Sequence, residues 1–215
     1  MRPPCGTCPA SLLVIAKEPV PGRVKTRLVP PFSPQEAARL AGAALADTLE
    51  TVLATPADRH VLVLAGAPGP WLPAGFEVWP QGAGGLDERL AAAFAACTGP
   101  TLLIGMDTPQ VTPGLLARGL EFADCGAWFG PAADGGFWAL GLAAPDPELV
   151  RGVPMSVPGT GACQRARLTA AGLVVRDLPV LRDVDTADDA RTVAALAPRT
   201  RFAAEHRAIG GVGAR

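Results

Sequence analysis

The stretch "SLLVIAKEPVPGRVKTRLVPPFSPQEAARLAGAALADTLETVLA", residues 11–54, passes from an apolar run through a basic, proline-rich loop into a long alternation of apolar and polar residues. "SLLVIAK" reads as a buried strand, since a short apolar run bounded by proline and glycine is too brief for a buried helix. The helix that follows announces its start: Ser33 is the N-cap, Pro34 the first helical residue, and Glu36 completes a capping box. Between them, Lys17, Arg23, Lys25 and Arg27 fall within eleven residues, in a chain with only 19 Lys+Arg in total. Pro19 and Pro21 stiffen this loop, which lowers the entropy lost on ordering it around a ligand.

Working outward, the same alternation continues. "HVLVLAG" (60–66), "FEVWPQ" (76–81) and "TLLIGMD" (101–107) read as strands, with a helix through "GLDERLAAAFAAC" (85–97). "TPGLLARGLEFA" (112–123) reads as a helix capped by Thr112, with Pro113 at its first position. "GAWFGPA" (126–132) and "FWALGLA" (137–143) are strands flanking Asp134-Gly135-Gly136, and "CQRARLTAAG" (163–172) a helix. "LVVRDLP" (173–179) is a last strand, and "DVDTADDARTVAALA" (183–197) opens a final helix, with Thr186 and Asp189 as its capping box. This order predicts an α/β fold: a three-layer α/β/α sandwich around a mixed, mostly parallel central sheet. A single domain is expected over residues 11–197, with tails at 1–10 and 198–215 that show no clear period.

The totals exclude several functions. Net charge is −1, so a dedicated binder of duplex nucleic acid or anionic membrane is not expected. Apolar runs such as "LLVIA" fall far short of the ~20 residues that span a bilayer. The N-terminal stretch lacks the apolar core of a secretory signal, and a cytoplasmic protein is expected. Five cysteines fit a reducing compartment, and Cys5-Gly-Thr-Cys8 lacks partners for a zinc site. Neither Walker A nor GxGxxG is present, and there is no GxSxG elbow.

In open α/β sheets ligands gather beyond the carboxyl ends of the strands. That places the basic loop, Gln81 and Asp107 at one crevice. The four cations suit either a solvated loop or a phosphate site, and their position at a strand's carboxyl end brings the two readings level: guanidinium grips phosphate oxygens bidentately, while lysine gives a point charge. Asp107 is left over once Thr112 has capped the next helix, and a carboxylate at the sheet mouth suits Mg²⁺ or Mn²⁺. Asp183 and Asp185 are likewise not needed as caps, and a carboxylate from this distant segment would complete a metal site. Asp134 sits in a good hairpin turn and could equally address a substrate hydroxyl or the metal. Gln81 could read a base edge, and Arg89 reads as a local salt-bridge partner.

Taken in order, "LLVIAKEPVPGRVKTRL", "LIGMDTPQVTP", "GPAADGGFWALGL" and "LRDVDTADDA" resemble the radical-SAM/selenodomain-associated, glycosyltransferase-like transferases of the nucleotide-diphospho-sugar transferase superfamily. "KTRL" is also similar to the phospholactate guanylyltransferases of that superfamily. The resemblance implies that Lys17, Arg23, Lys25, Arg27 and Gln81 bind the nucleotide, and that Asp107 and Asp185 hold Mg²⁺ or Mn²⁺. Lys25, Asp107 and Asp134 are the expected catalytic residues. Two features depart from the family: Gln110 stands where an aspartate is usual, and "VPMSVPGTGACQ" (153–164) is an unusual acceptor-side loop. The leading expectation is a metal-dependent transferase moving a glycosyl group from an NDP-sugar to a small-molecule acceptor. The alternatives are nucleotidyl transfer from an NTP to a phosphorylated small molecule, for which the "KTR" loop is the better fit, and a non-catalytic nucleotide-binding protein.

Overall fold

The structure, a computed structural model, describes residues 9–212; the Cys5–Cys8 pair lies outside them. Among the described residues, seven strands form one sheet: β1 (Ser11–Lys17), β2 (Arg59–Ala65), β3 (Glu77–Pro80), β4 (Thr101–Gly105), β5 (Ala127–Pro131), β6 (Phe137–Leu142) and β7 (Val175–Asp177), in the order β3-β2-β1-β4-β6-β5-β7. All neighbours run parallel except β6, which is antiparallel to both β4 and β5. This is the expected mixed, mostly parallel sheet.

Strand β1 shows why the sheet is covered on both faces. Successive side chains point to opposite sides: Leu12, Val14 and Ala16 enter one apolar cluster, while Leu13 and Ile15 enter another. Helix α1 (Pro34–Leu53) covers the first face through Ala38, Ala41, Leu45, Leu49 and Val52. Helix α2 (Leu86–Ala95) covers the second through Leu90, Ala93 and Phe94. The remaining helices are α3 (Pro113–Arg118), α4 (Thr160–Ala170), α5 (Ala187–Leu196) and α6 (Arg201–Val212).

Both expected capping boxes form: Ser33 with Glu36 at α1, and Thr186 with Asp189 at α5. Helix α3 is shorter than its sequence suggests and stops at Gly119, where Leu102 of β4 packs against the glycine so closely that a Cβ would meet it at 2.7 Å. The segment expected as a C-terminal tail instead carries α6. Its Phe202 is fully buried, and the carboxylate of Asp47 on α1 accepts from the backbone N–H groups of Arg201 and Phe202, at 2.9 and 2.8 Å. Orphan donors at a helix start are thus satisfied by a side chain 155 residues away.

Strands β2 and β4 flank β1 on its two sides. Chain connections leave in opposite directions from that point, and the carboxyl ends of β1 and β4 open a crevice there. Because β6 is reversed, its first residue, Phe137, reaches the same edge.

Candidate active site

The crevice is a cavity of about 660 Å³, within the range of small-molecule sites. Lys17, Lys25, Arg27, Gln81, Asp107, Asp134 and Asp185 all line it; Arg23 does not, and is exposed on the loop. The structure therefore brings together every expected site residue except Arg23.

Lys25 is the pivot. Its backbone is left-handed (φ 47°, ψ 44°), a conformation that costs a non-glycine residue about 1–3 kcal/mol and that surrounding contacts must hold. Those contacts are two carboxylates. Lys25 Nζ lies 2.6 Å from Asp107 Oδ2 and 2.7 Å from Asp185 Oδ1, with only 11% of its side chain exposed. Burial opposes the ammonium charge, but Asp107 and Asp185 outweigh it and hold Lys25 well above the ordinary lysine range. Arg27 donates to the other oxygen of Asp185 at 3.0 Å from a largely exposed position. Burial likewise opposes the charge of Asp185, yet Lys25 and Arg27 keep its carboxyl below the usual range. Lys17, at the end of β1, has no ion-pair partner among the described residues and faces the cavity.

A third carboxylate joins the pair. Oxygens of Asp107, Asp183 and Asp185 lie within 4.8 Å of one another, close enough to hold one metal ion. Asp183 and Asp185 reach the crevice from either side of Val184, which is buried in the cluster formed by α1, α5 and α6. The Val184 N–H donates to the Asp107 carbonyl at 3.0 Å and fixes the segment against β4. Burial, then the negative charges of Asp107 and Asp134, push the Asp183 carboxyl up to about 7. Asp183 was legible as an unneeded carboxylate in "DVD"; the i, i+2 spacing that sets both acids on one side of an extended segment was the further signal.

Gln110, where an acid is usual, has a different task. Its Nε2 donates to the Arg182 carbonyl at 2.6 Å, a bond no carboxylate could make, and so it steadies the segment carrying Asp183 and Asp185. Asp134 both lines the cavity and closes its own turn, accepting from Gly136 N–H at 2.8 Å. Gln81 is more constrained than a free base-reading amide: its Nε2 donates to the carbonyls of Ala16 and Val63, at 2.7 and 3.0 Å. Arg89, expected to pair locally, has no carboxylate partner among the described residues and lines the cavity beside Gln81. Phe137, Met155, Val157 and Pro158 add apolar surface to the cavity lining, and Phe137 and Met155 pack against the cluster that holds Leu90 of α2. Met155, Val157 and Pro158 come from the unusual loop before α4.

Residues 39–157, more than half of the chain, match the family described as "Uncharacterized protein conserved in bacteria (DUF2064)". The chain belongs to this family. It is 34% identical over 209 residues to the phosphoenolpyruvate guanylyltransferase of Streptomyces avermitilis, covering 88% of this chain and 92% of that one. Its fold matches a Desulfovibrio desulfuricans G20 protein described as a nucleotide-diphospho-sugar transferase, with a TM-score of 0.84, 24% identity and coverage of 94% and 95%. A more distant match is Rv0371c of Mycobacterium tuberculosis H37Rv, solved in complex with manganese: TM-score 0.51, 21% identity, coverage of 87% and 98%. The chain is an enzyme of the transferase class with a nucleotide-diphospho-sugar transferase-like fold, as its sequence led us to expect. No helix among the described residues is long and apolar enough to cross a membrane.

Proposed function

We propose that this protein is a metal-dependent nucleotidyltransferase, which joins the nucleoside monophosphate part of an NTP to the phosphate of a small molecule and releases pyrophosphate. The observation that carries the reading is the meeting, in one cavity, of a cation-bearing loop with three clustered carboxylates. The activity of the Streptomyces relative, which aligns over nearly the whole chain, favours nucleotidyl over glycosyl transfer. The basic loop agrees, since a triphosphate brings more charge to neutralise than a sugar diphosphate. Three convergent acids beside the basic loop supply the metal site that phosphoryl transfer uses, and so favour catalysis over nucleotide binding alone.

The donor set fits a hard divalent ion. Mg²⁺ and Mn²⁺ prefer oxygen ligands and pair a few carboxylates with phosphate oxygens, and the like-charge crowding felt by Asp183 is what a cation would relieve. Asp107, Asp183 and Asp185 would hold it, and once bound it would neutralise charge on the phosphates. The rest falls to the chain itself. Lys17 and Arg27, which line the cavity from the basic loop, hold the phosphate tail. Lys25, freed from its carboxylates when phosphate oxygens arrive, supplies a positive charge where the leaving pyrophosphate develops its own negative charge. Phe137, Met155, Val157 and Pro158 line the cavity with apolar surface that limits water around the bound substrates. Asp134, which also lines the cavity, orients the acceptor. The acceptor phosphate oxygen attacks the α-phosphorus, and the bond to the bridging oxygen breaks in line.

Pyrophosphate release from each NTP, with Mg²⁺ or Mn²⁺ and a panel of phosphorylated three- to six-carbon acids and sugars, tests this. Turnover is expected with a phosphorylated acceptor, and Asp107→Asn should lower kcat/KM about a hundredfold or more, as loss of a main electrostatic contact does. Slow hydrolysis of an NDP-sugar with no pyrophosphate from any NTP would return the reading to glycosyl transfer.

A further inference from the structure

We propose that Gln81 and Arg89 together read the base of the nucleotide and select guanine; this rests on the nucleotidyltransferase reading above. The Gln81 amide cannot flip, because both Nε2 bonds end on carbonyls, those of Ala16 on β1 and Val63 on β2. Its Oε1 is therefore fixed as an acceptor toward the cavity, 3.4 Å from Arg89 Nη1. Arg89 is itself oriented by a bond from Nε to the Gly84 carbonyl at 3.1 Å, and its Nη2 has no partner among the described residues. The acids beside it on α2 are engaged elsewhere: Asp87 accepts from Gly152 N–H, and Glu88 pairs with Arg151. Arg89 is thus left to face the cavity.

The pair presents one acceptor followed by two donors. Guanine offers the complement in order along its edge: the N1–H donor, then the O6 and N7 acceptors. A guanidinium fork on O6 and N7 is the commonest specific contact to this base. Adenine alternates acceptor, donor, acceptor, and uracil does the same, so neither can match without leaving a buried polar group unpaired. Cytosine carries a matching row, but on the edge that ends beside its ribose-bearing ring atom. Leu86 and Leu90, on the same helix as Arg89, line this end and offer the ring an apolar face.

The test is calorimetric titration of the full chain with GTP, ATP, CTP, UTP and inorganic tripolyphosphate, each with Mn²⁺, for the native protein, Arg89→Lys and Arg89→Met. The native protein is expected to prefer GTP over ATP by roughly tenfold or more, the discrimination one bidentate contact confers. Arg89→Lys, which keeps the charge and loses the fork, should bring the two Kd values within about threefold, while tripolyphosphate binds as before. The assignment is overturned if the native protein prefers another base. It also falls if the preference survives in both variants, or if tripolyphosphate weakens as much as GTP, which would make Arg89 a phosphate ligand. Failure of the native protein to bind tripolyphosphate or any NTP would bring down the nucleotidyltransferase reading as well, which separates the two claims.

Discussion

The two sides of the cavity are built in opposite ways. The basic side is local: Lys17, Lys25 and Arg27 come from one stretch of eleven residues at the end of β1, and the backbone between them is set by prolines and by the left-handed turn at Lys25. The acidic side is assembled from afar. Asp107 ends the β4 segment, while Asp183 and Asp185 arrive from beyond β7, some 80 residues later. Lys25 joins the two, with carboxylate partners 82 and 160 residues distant. The acids can crowd together because a cation is already among them, and that dependence can be broken experimentally.

The largest effect is expected from removing that cation. Lys25→Met leaves Asp107 and Asp185 close together with their common partner gone, and stripping one partner from a buried pair costs about 3 kcal/mol or more. For a domain of this size that corresponds to a fall in Tm of about 6–12 °C. Saturating Mn²⁺ should restore most of the loss in the variant and raise the native Tm less, since the ion would replace the ammonium as counter-charge. Differential scanning calorimetry with and without Mn²⁺ reads both. Equal Mn²⁺ shifts in the two proteins would show that the acids do not depend on Lys25. By contrast, Arg27→Met removes a largely exposed pair and should cost less than about 1 kcal/mol.

A smaller effect separates Asp183 from its neighbours. Its carboxyl is raised to about 7 by burial and by Asp107 and Asp134, whereas in the unfolded chain it ionises near pH 4. The folded protein therefore keeps a proton that the unfolded chain has released, so this group favours folding at low pH. That contribution is lost as pH rises from about 4 to 7 and is constant above. Metal binding runs the other way: the proton must leave first, so Mn²⁺ affinity should climb up to tenfold per pH unit toward 7 and then level off. Calorimetric titration with Mn²⁺ at pH 6, 7 and 8 should show this slope, and Asp183→Asn should flatten it. A native slope unchanged by the substitution would assign the proton to another group.

The same contrast explains how far the sequence could be read. Helices α1 and α5 declared themselves because capping boxes are spelled within four residues, and Asp107 stood out because Thr112 had already taken the cap. The alternation of elements was enough for the layers and the crevice. What lay beyond reach depends on distance. Helix α6 has a weak period of its own and is held by Phe202 in the core and by Asp47 at its first turn, neither of which a local pattern shows. Gln110 read as a lost acid, because its carbonyl partner at Arg182 is 72 residues away. Arg89 read as a local ion pair because Asp87 and Glu88 adjoin it, and only the fold reveals that Gly152 and Arg151 have claimed them.

The smallest effect is the one that tests whether charge count or position makes the phosphate site. Arg23 carries the same charge as Arg27 and stands four residues away, yet it is exposed and outside the cavity. If the loop acted as a diffuse positive field, Arg23→Met and Arg27→Met would weaken tripolyphosphate binding alike, and both losses would fade with added salt as exposed charges are screened. A site built by position predicts otherwise. Arg23→Met should leave tripolyphosphate affinity unchanged at 150 mM salt and stability within about 0.5 kcal/mol, while Arg27→Met weakens binding several-fold at the same ionic strength. Equal losses would mean that the net charge of the loop, and not the position of Arg27 at the cavity, makes the phosphate site.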